Sequence, residues 1–345
     1  MTTPHRNAGF SLVELLIAMT ITITALGIAM TALNDVSDTR EAATLLTDSN
    51  QSLRTSVNLI ERDLLSVGRL VPVGGVPVPN GAGSTPINRP GPTGGGLTFT
   101  AGDTTLPALS PGNGIGPVVN GTQTDVMNML MVDSTPLCGT AFSLESMPLV
   151  NIAADGSTAT VNAAVPVNCA GDAITAGDLI MFSNGLGNAI QMVTETNGQV
   201  LTFGGGDVMN INQRGAAQGT ILQLQSGPGV FPPTTASRVL MISYYVDTAV
   251  ANRPRLMRRV NMRNDRAIGI GIEGFQLTYD LADGVTNPVN QPAPVAPNTA
   301  HQIRKANMVL SGRSHAQWSR SRQFLRTTLA SQVSLRNLAF VDRYQ

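Results

Sequence analysis

An uninterrupted apolar run at residues 10–33, FSLVELLIAMTITITALGIAMTAL, constrains this chain more than any other feature, and it holds no lysine, arginine or aspartate. At 1.5 Å per residue its 24 residues span about 36 Å, enough to cross a hydrocarbon core of about 30 Å. One ionisable side chain sits inside it, Glu14, four residues after Phe10. A carboxylate at that depth is costly, so it needs a partner or a role. A secretory signal has a basic start, here matched by His5 and Arg6, but its apolar core is shorter and a small-residue cleavage site follows it. A plain signal anchor accounts for the length, but not for Glu14 or the Gly9–Phe10 junction.

The helix is expected to continue beyond the apolar run. Residues 34–67 contain neither proline nor glycine. Apolar side chains recur at Ala42, Leu45, Leu46, Leu53, Val57, Ile60, Leu64 and Val67, the spacing of an amphipathic helix with one core-facing stripe. Gly68 is placed to end it, and Pro72 lies just beyond. One helix over residues 10–67 is about 87 Å long if straight. Gly27 is its weak point, at about 1 kcal/mol relative to alanine.

The stretch Gly9, Phe10, Ser11, Leu12, Val13 and Glu14, followed by Leu15, Leu16 and Ile17, resembles the type IV prepilin family. The resemblance implies cleavage between Gly9 and Phe10 by a membrane prepilin peptidase, N-methylation of Phe10, and passage through an inner-membrane assembly platform to other pilin subunits. It assigns Glu14 to pairing with the N-terminal amine of a neighbouring subunit. The physics agrees: a carboxylate and an ammonium are each expensive alone in a low-dielectric filament core, and pairing them sets the axial register. Family members often carry a proline within the apolar half, and this sequence does not.

Residues 69–121 are rich in proline and glycine, which excludes a long helix. An irregular excursion over the head, mobile in places, is expected there. Gly94–Gly96 and Gly204–Gly206 lack phosphate-loop spacing and read as turns. From Asp125 the pattern changes to short strands, at 126–132, 179–182, 189–194, 200–203 and 221–224. Cys138 and Cys169 are the two cysteines. A prepilin delivers its head outside the cytoplasm, so a Cys138–Cys169 disulfide is expected. Metal ligation is the rival, but His5, His301 and His315 are all distant in sequence.

Toward the C-terminus, 238–247 reads as a strand and 253–260 as its hairpin partner, across a turn near Asn252. Phe275, Leu277, Tyr279 and Leu281 alternate with polar residues, as in a half-buried strand, and Asp283-Gly284 marks the next turn. Two further strands are expected at 303–311 and 332–338, with a short helix or loop at 320–331. The hairpin Tyr245, Val246 and Arg255 to Arg259, then GFQLTYD (274–280), the terminal VSLRN (333–337) and the helical LIERDL (59–64) resemble PilW-type minor pilins and the J-type pseudopilins of type II secretion.

Basic residues cluster late: Arg253, Arg255, Arg258, Arg259, Arg263, Arg266, Arg304, Lys305, Arg313, Arg320, Arg322, Arg326, Arg336 and Arg343. A solvated sheet face with subunit contacts is one reading, and contact with a polyanion such as DNA is the other. Overall charge is balanced, at 22 basic against 22 acidic residues, so no global basic field points to nucleic acid. Trp318, Phe324, Tyr244 and Tyr245 are the few aromatic residues there for stacking on bases. Asp280 and Asp283 lack the spacing of a calcium loop and read as turn residues. No catalytic constellation, cofactor or metal motif emerges, so no enzyme is expected.

The expectation is an α+β, lollipop-shaped pilin: a long N-terminal helix packed on an antiparallel β head with an enlarged β- and loop-rich insertion. The layout runs from a leader (1–9) and a transmembrane half of the helix (10–33) to an amphipathic half (34–68), a Gly/Pro-rich excursion (69–121) and a β-rich head (122–345). A single-pass inner-membrane protein with a periplasmic head follows, later at the pilus or cell surface. The functions implied are a minor type IV pilin, a minor pseudopilin, or a tip adhesin or DNA-uptake subunit.

Overall fold

The computed structural model describes residues 11–100, 103–135, 145–169, 173–263 and 265–338. Helix α1, Leu12–Ser66, runs 55 residues without a break, passing through Gly27. At the far end Val67 leaves helical geometry and Gly68 takes φ +74°, a conformation that costs glycine little. The Gly68 N–H then donates to Leu130 O at 2.8 Å, turning the chain into the head. Only the second half of α1 is buried, through Leu45, Ser49, Leu53, Ser56, Val57, Ile60, Asp63 and Leu64. The spacing is the expected three-to-four stripe, but three of these residues are polar.

The stretch after α1 holds five two-residue strands: β1 (Val76–Pro77), β2 (Thr105–Leu106), β3 (Leu109–Ser110), β4 (Val118–Val119) and β5 (Thr122–Gln123). It is irregular, as expected, but it is not peripheral. Val76, Val78, Ile87, Phe99, Leu106 and Leu109 are buried in the principal core with Leu53, Ile60 and Leu64 of α1. Its backbone is tied down by bonds such as Phe99 N–H to Ile87 O (2.9 Å) and Asn80 N–H to Gln218 O (3.0 Å).

Next come β6 (Val126–Val132), β7 (Met147–Ile152), β8 (Thr158–Val161), β9 (Leu179–Asn184), β10 (Gly187–Met192), β11 (Glu195–Asn197) and β12 (Val200–Thr202). Then β13 (Thr235–Asp247), β14 (Arg255–Val260) and β15 (Arg266–Ile270) complete one antiparallel sheet with β3. The 13-residue β13 is its hub. One end pairs with β9 and β7, the other with β6 and β14. It therefore joins two cores: the principal one, and a second built from Met147, Val161, Ile180, Phe182, Leu201, Phe203 and Ile221 in the insertion. Phe182 and Phe203 meet edge to face there, with centroids 5.3 Å apart.

The last sheet is β16 (Ile272–Leu281), β17 (Ile303–Trp318) and β18 (Gln323–Ser334), in that order. In β16 the side chains of Phe275, Leu277, Tyr279 and Leu281 are buried, as the alternation predicts. Helix α1 lies along β17 and β18.

Three expectations are corrected. Residues 221–224 form a 3-10 turn rather than a strand; Ile221 and Leu224, three apart, share the buried side. Residues 323–331 are strand, not helix or loop, because β18 pairs with β17 from Lys305↔Ser334 to Trp318↔Gln323. Its inward set, Thr327, Leu329, Ser331 and Val333, includes two polar residues that bond to α1, which hides the alternation. The expected strand at 332–338 accordingly stops at Ser334, and Arg336–Leu338 is a 3-10 turn.

Candidate assembly interface

At the start of α1, Ser11 is the N-cap. Its Oγ accepts from the Glu14 N–H at 3.2 Å, while Glu14 Oε2 accepts from the Ser11 N–H at 2.9 Å. This reciprocal capping box satisfies helix-end donors in a segment that lacks water once in a bilayer. It leaves Glu14 Oε1 with no partner among the described residues. Gly9 and Phe10, the expected cleavage junction and methylation site, lie outside the described residues.

The apolar half buries nothing against the head: its most hydropathic 18-residue window is 0% buried, and Leu12 and Ile28 are 79% and 71% exposed. The threonine side chains within it are internally satisfied. Thr20, Thr22, Thr24 and Thr31 donate their hydroxyls to carbonyls three or four residues back, at 2.7–2.9 Å. Apart from Glu14, the helix therefore presents apolar surface and closed polar groups to its surroundings, as a bilayer or a bundle of like helices requires.

The second half is bolted to the head by polar contacts that the apolar stripe conceals. Asp63 Oδ2 accepts from Tyr244 Oη and from Arg258 Nε, both at 2.7 Å. Burial and the Asp63 charge push the Tyr244 phenol well above its ordinary pKa, so it stays a neutral donor. Burial alone lowers the Arg258 pKa, but the hydrogen bond and charge of Asp63 raise it above its usual value. Ser52 Oγ accepts from Ile270 N–H at 3.1 Å and Ser56 Oγ reaches Ile268 O at 3.4 Å, so both meet the edge of β15. Near the apolar half, Trp318 Nε1 donates to Asp38 O at 3.1 Å and Ser319 bonds to Glu41. Arg320 lies 3.5 Å from Asp35 there. The β17–β18 hairpin thus reaches down α1 almost to the last residue of the apolar run.

Asp63 could have been found in the sequence: an acid three residues after Ile60, on an apolar stripe, demands a buried partner. Ser52 and Ser56 carry no such signal.

Other expected sites resolve as follows. Cys169 is described, but Cys138 is not, so the bridge lies outside the described residues. Asp283 accepts from the N–H groups of Val285, Thr286 and Asn287, which hold its carboxyl well below the ordinary range. Asp280 binds Asn290 N–H, Asn307 and Lys305. Both aspartates are thus engaged by protein groups, but only Asp283 lies in a turn; Asp280 is a strand residue of β16, level with Lys305 of β17. Six residues of the late basic cluster sit in ion pairs with separate carboxylates: Arg255–Asp247, Arg258–Asp63, Arg259–Asp265, Arg263–Asp178, Lys305–Asp280 and Arg320–Asp35. Glu273 takes both Arg313 (3.0 Å) and Arg326 (2.8 Å). Arg343 lies outside the described residues.

Residues 4–31 match the family of the prokaryotic N-terminal methylation motif. No match is found among curated proteins or among solved structures. The matched segment, the unburied apolar helix and the antiparallel β head support a membrane-anchored, type IV prepilin-like protein. Such an N-terminus implies dealings with pilus assembly machinery and with other pilins in general.

Proposed function

We propose that this chain is a minor type IV pilin of the PilW type, a structural and non-catalytic subunit that initiates, caps or decorates a pilus. One observation carries the reading. A wholly unburied apolar helical run, with a single carboxylate at its start, is continuous with a helix locked into a large head. Prepilin peptidase cuts after Gly9 and Phe10 becomes the methylated N-terminus. The open Oε1 of Glu14 then takes the N-terminal ammonium of a neighbouring subunit. The head sits in the periplasm on a single inner-membrane span, where Cys138 and Cys169 pair, and it passes to the cell surface on assembly. Two cores and a long insertion suit a low-copy subunit. The pairing of the late basic residues supports subunit contact over polyanion binding.

The test is Glu14→Ala in the full chain. Membrane insertion is expected to persist, while the amount in sheared filaments falls at least tenfold; unchanged filament content sinks the pairing role. Deleting the chain distinguishes the two filament systems: lost piliation supports a pilin, and lost protein secretion with intact pili supports a type II secretion pseudopilin.

A further inference from the structure

The edges of the β-sheets are not treated alike. An exposed strand edge presents unpaired N–H and C=O groups and recruits other strands, so folded proteins close such edges with side chains, loops or helices. Here the outer edge of β15 meets the Ser52 and Ser56 hydroxyls of α1. That of β10 is closed at Met192, whose N–H and C=O both bond to the Asn212 amide, at 2.8 and 2.7 Å. That of β16 is closed by Asp125, which takes the Leu277 N–H at 2.7 Å and donates to Phe275 O, and by Gln291, which exchanges two backbone bonds with Tyr279.

Strand β18 is different. It pairs with β17 on one side, and no described residue pairs with its other side. Leu335 N–H donates to Arg304 O at 2.9 Å, which fixes the phase of the ladder: Val333, Ser331, Leu329 and Thr327 bond to β17. Arg326, Thr328, Ala330, Gln332 and Ser334 therefore aim their N–H and C=O groups outward. The strand has 12 residues, QFLRTTLASQVS, without proline or glycine. Its only charge, Arg326, is turned to Glu273. Over Arg326–Ser334 no proline, bulge or covering segment blunts this edge among the described residues; the one irregularity of the ladder lies beyond it, between Arg313 and Gln317 of β17.

The direction of β18 limits what can pair with it. Its side of the head tracks α1 in order, with Ser319 on Glu41, Thr327 on Asn50 and Ser331 on Glu61. It thus runs parallel to α1, away from the apolar half. Antiparallel pairing of β18 with β18 of a second copy points the two apolar helices in opposite directions, which one membrane forbids. Parallel pairing about a two-fold axis fails as well: in a parallel ladder each bonded residue faces a non-bonded one, whereas the axis sets identical residues level.

We propose that the outer edge of β18 is an assembly edge, completed by a strand from a different prepilin-like subunit that runs back toward the membrane. It rests on the filament reading above. Main-chain bonds supply the affinity, as in other strand additions.

The test uses the full chain in its own membranes, with p-benzoylphenylalanine replacing Gln332, whose side chain is exposed. The second arm adds Ala330→Pro, which removes an N–H that the β17 ladder does not use. Irradiation is expected to give an adduct with a different anchored chain. Ala330→Pro reduces it at least tenfold without lowering Tm. If Ala330→Pro lowers Tm, Thr328→Pro takes its place. An adduct only with another copy of this chain, one insensitive to proline, or no adduct overturns the proposal. The two readings fail separately. Adducts in membranes without the chain in sheared filaments remove the pilus role alone. The chain in filaments without an adduct removes the edge alone.

Discussion

Asp63 on α1 and Arg258 on β14 meet at 2.7 Å across 195 residues of sequence, and Tyr244 donates to the same carboxylate oxygen. The Asp63 side chain is 8% exposed and that of Arg258 is 21% exposed, so each depends on the other for compensation. This contact clamps the helix to the head.

Asp63→Ala is expected to leave Arg258 and Tyr244 without their acceptor and to cost about 3 kcal/mol, the lower end for breaking a buried pair. Chemical unfolding of the full chain in detergent measures it. A loss below about 1 kcal/mol contradicts the clamp. Asp63→Asn keeps an acceptor for Tyr244 and is expected to cost less.

The seating of α1 on β15 depends on Gly269. A Cβ there would collide with the Ser56 hydroxyl and lie 2.9 Å from Ile272 Cγ1. Gly269→Val is expected to lift the helix off the edge of β15 and to destabilise by about 2 kcal/mol, in the range of overpacked cores. Hydrogen exchange supplies the local readout: the Ile270 amide, held by Ser52, is expected to lose protection first.

Acid stability is expected to depend on Glu273. Burial pushes its carboxyl up, but the hydrogen bonds from Arg326 and Asn120 and the charges of Arg326 and Arg313 bring it below the ordinary value. A carboxyl with a depressed folded pKa lends stability above its unfolded pKa, about 4.3, and loses it as pH falls through the folded value. Tm is therefore expected to drop below about pH 4.5, and Glu273→Gln to lower Tm at neutral pH while flattening that acid limb. An unaltered acid limb in the variant contradicts the assignment.

The disulfide carried in the proposed function has its own test. Non-reducing electrophoresis is expected to show a mobility shift on reduction. Cys169→Ser is expected to abolish the shift and cost roughly 3–4 kcal/mol on chain-entropy reasoning. Two titratable thiols in the unfolded, unreduced chain contradict it.

The helix was legible because its signals are local. The run at 10–33 is apolar throughout, the stripe from Leu45 to Leu64 has one period, and Gly68 stops it. The alternation of β16 was legible for the same reason. Strand β18 was not, because its inward Thr327 and Ser331 are polar and find partners on α1, so only the tertiary contact gives them a face. The stretch after α1 reads as a loop by composition, yet its scattered Val76, Val78, Ile87 and Phe99 are buried against strands far along the chain. Of the candidate interface, Glu14 was visible as a lone charge in an apolar run. The capping box that occupies one of its oxygens became visible only once the chain was folded.

The central claim is that this is a processed, methylated prepilin, and mass spectrometry of the N-terminal peptide of the mature chain tests it most directly. The peptide is expected to begin at Phe10 and to carry one added methyl group on its amine. A mature chain that keeps residues 1–9, or that begins within or beyond the apolar run, contradicts it.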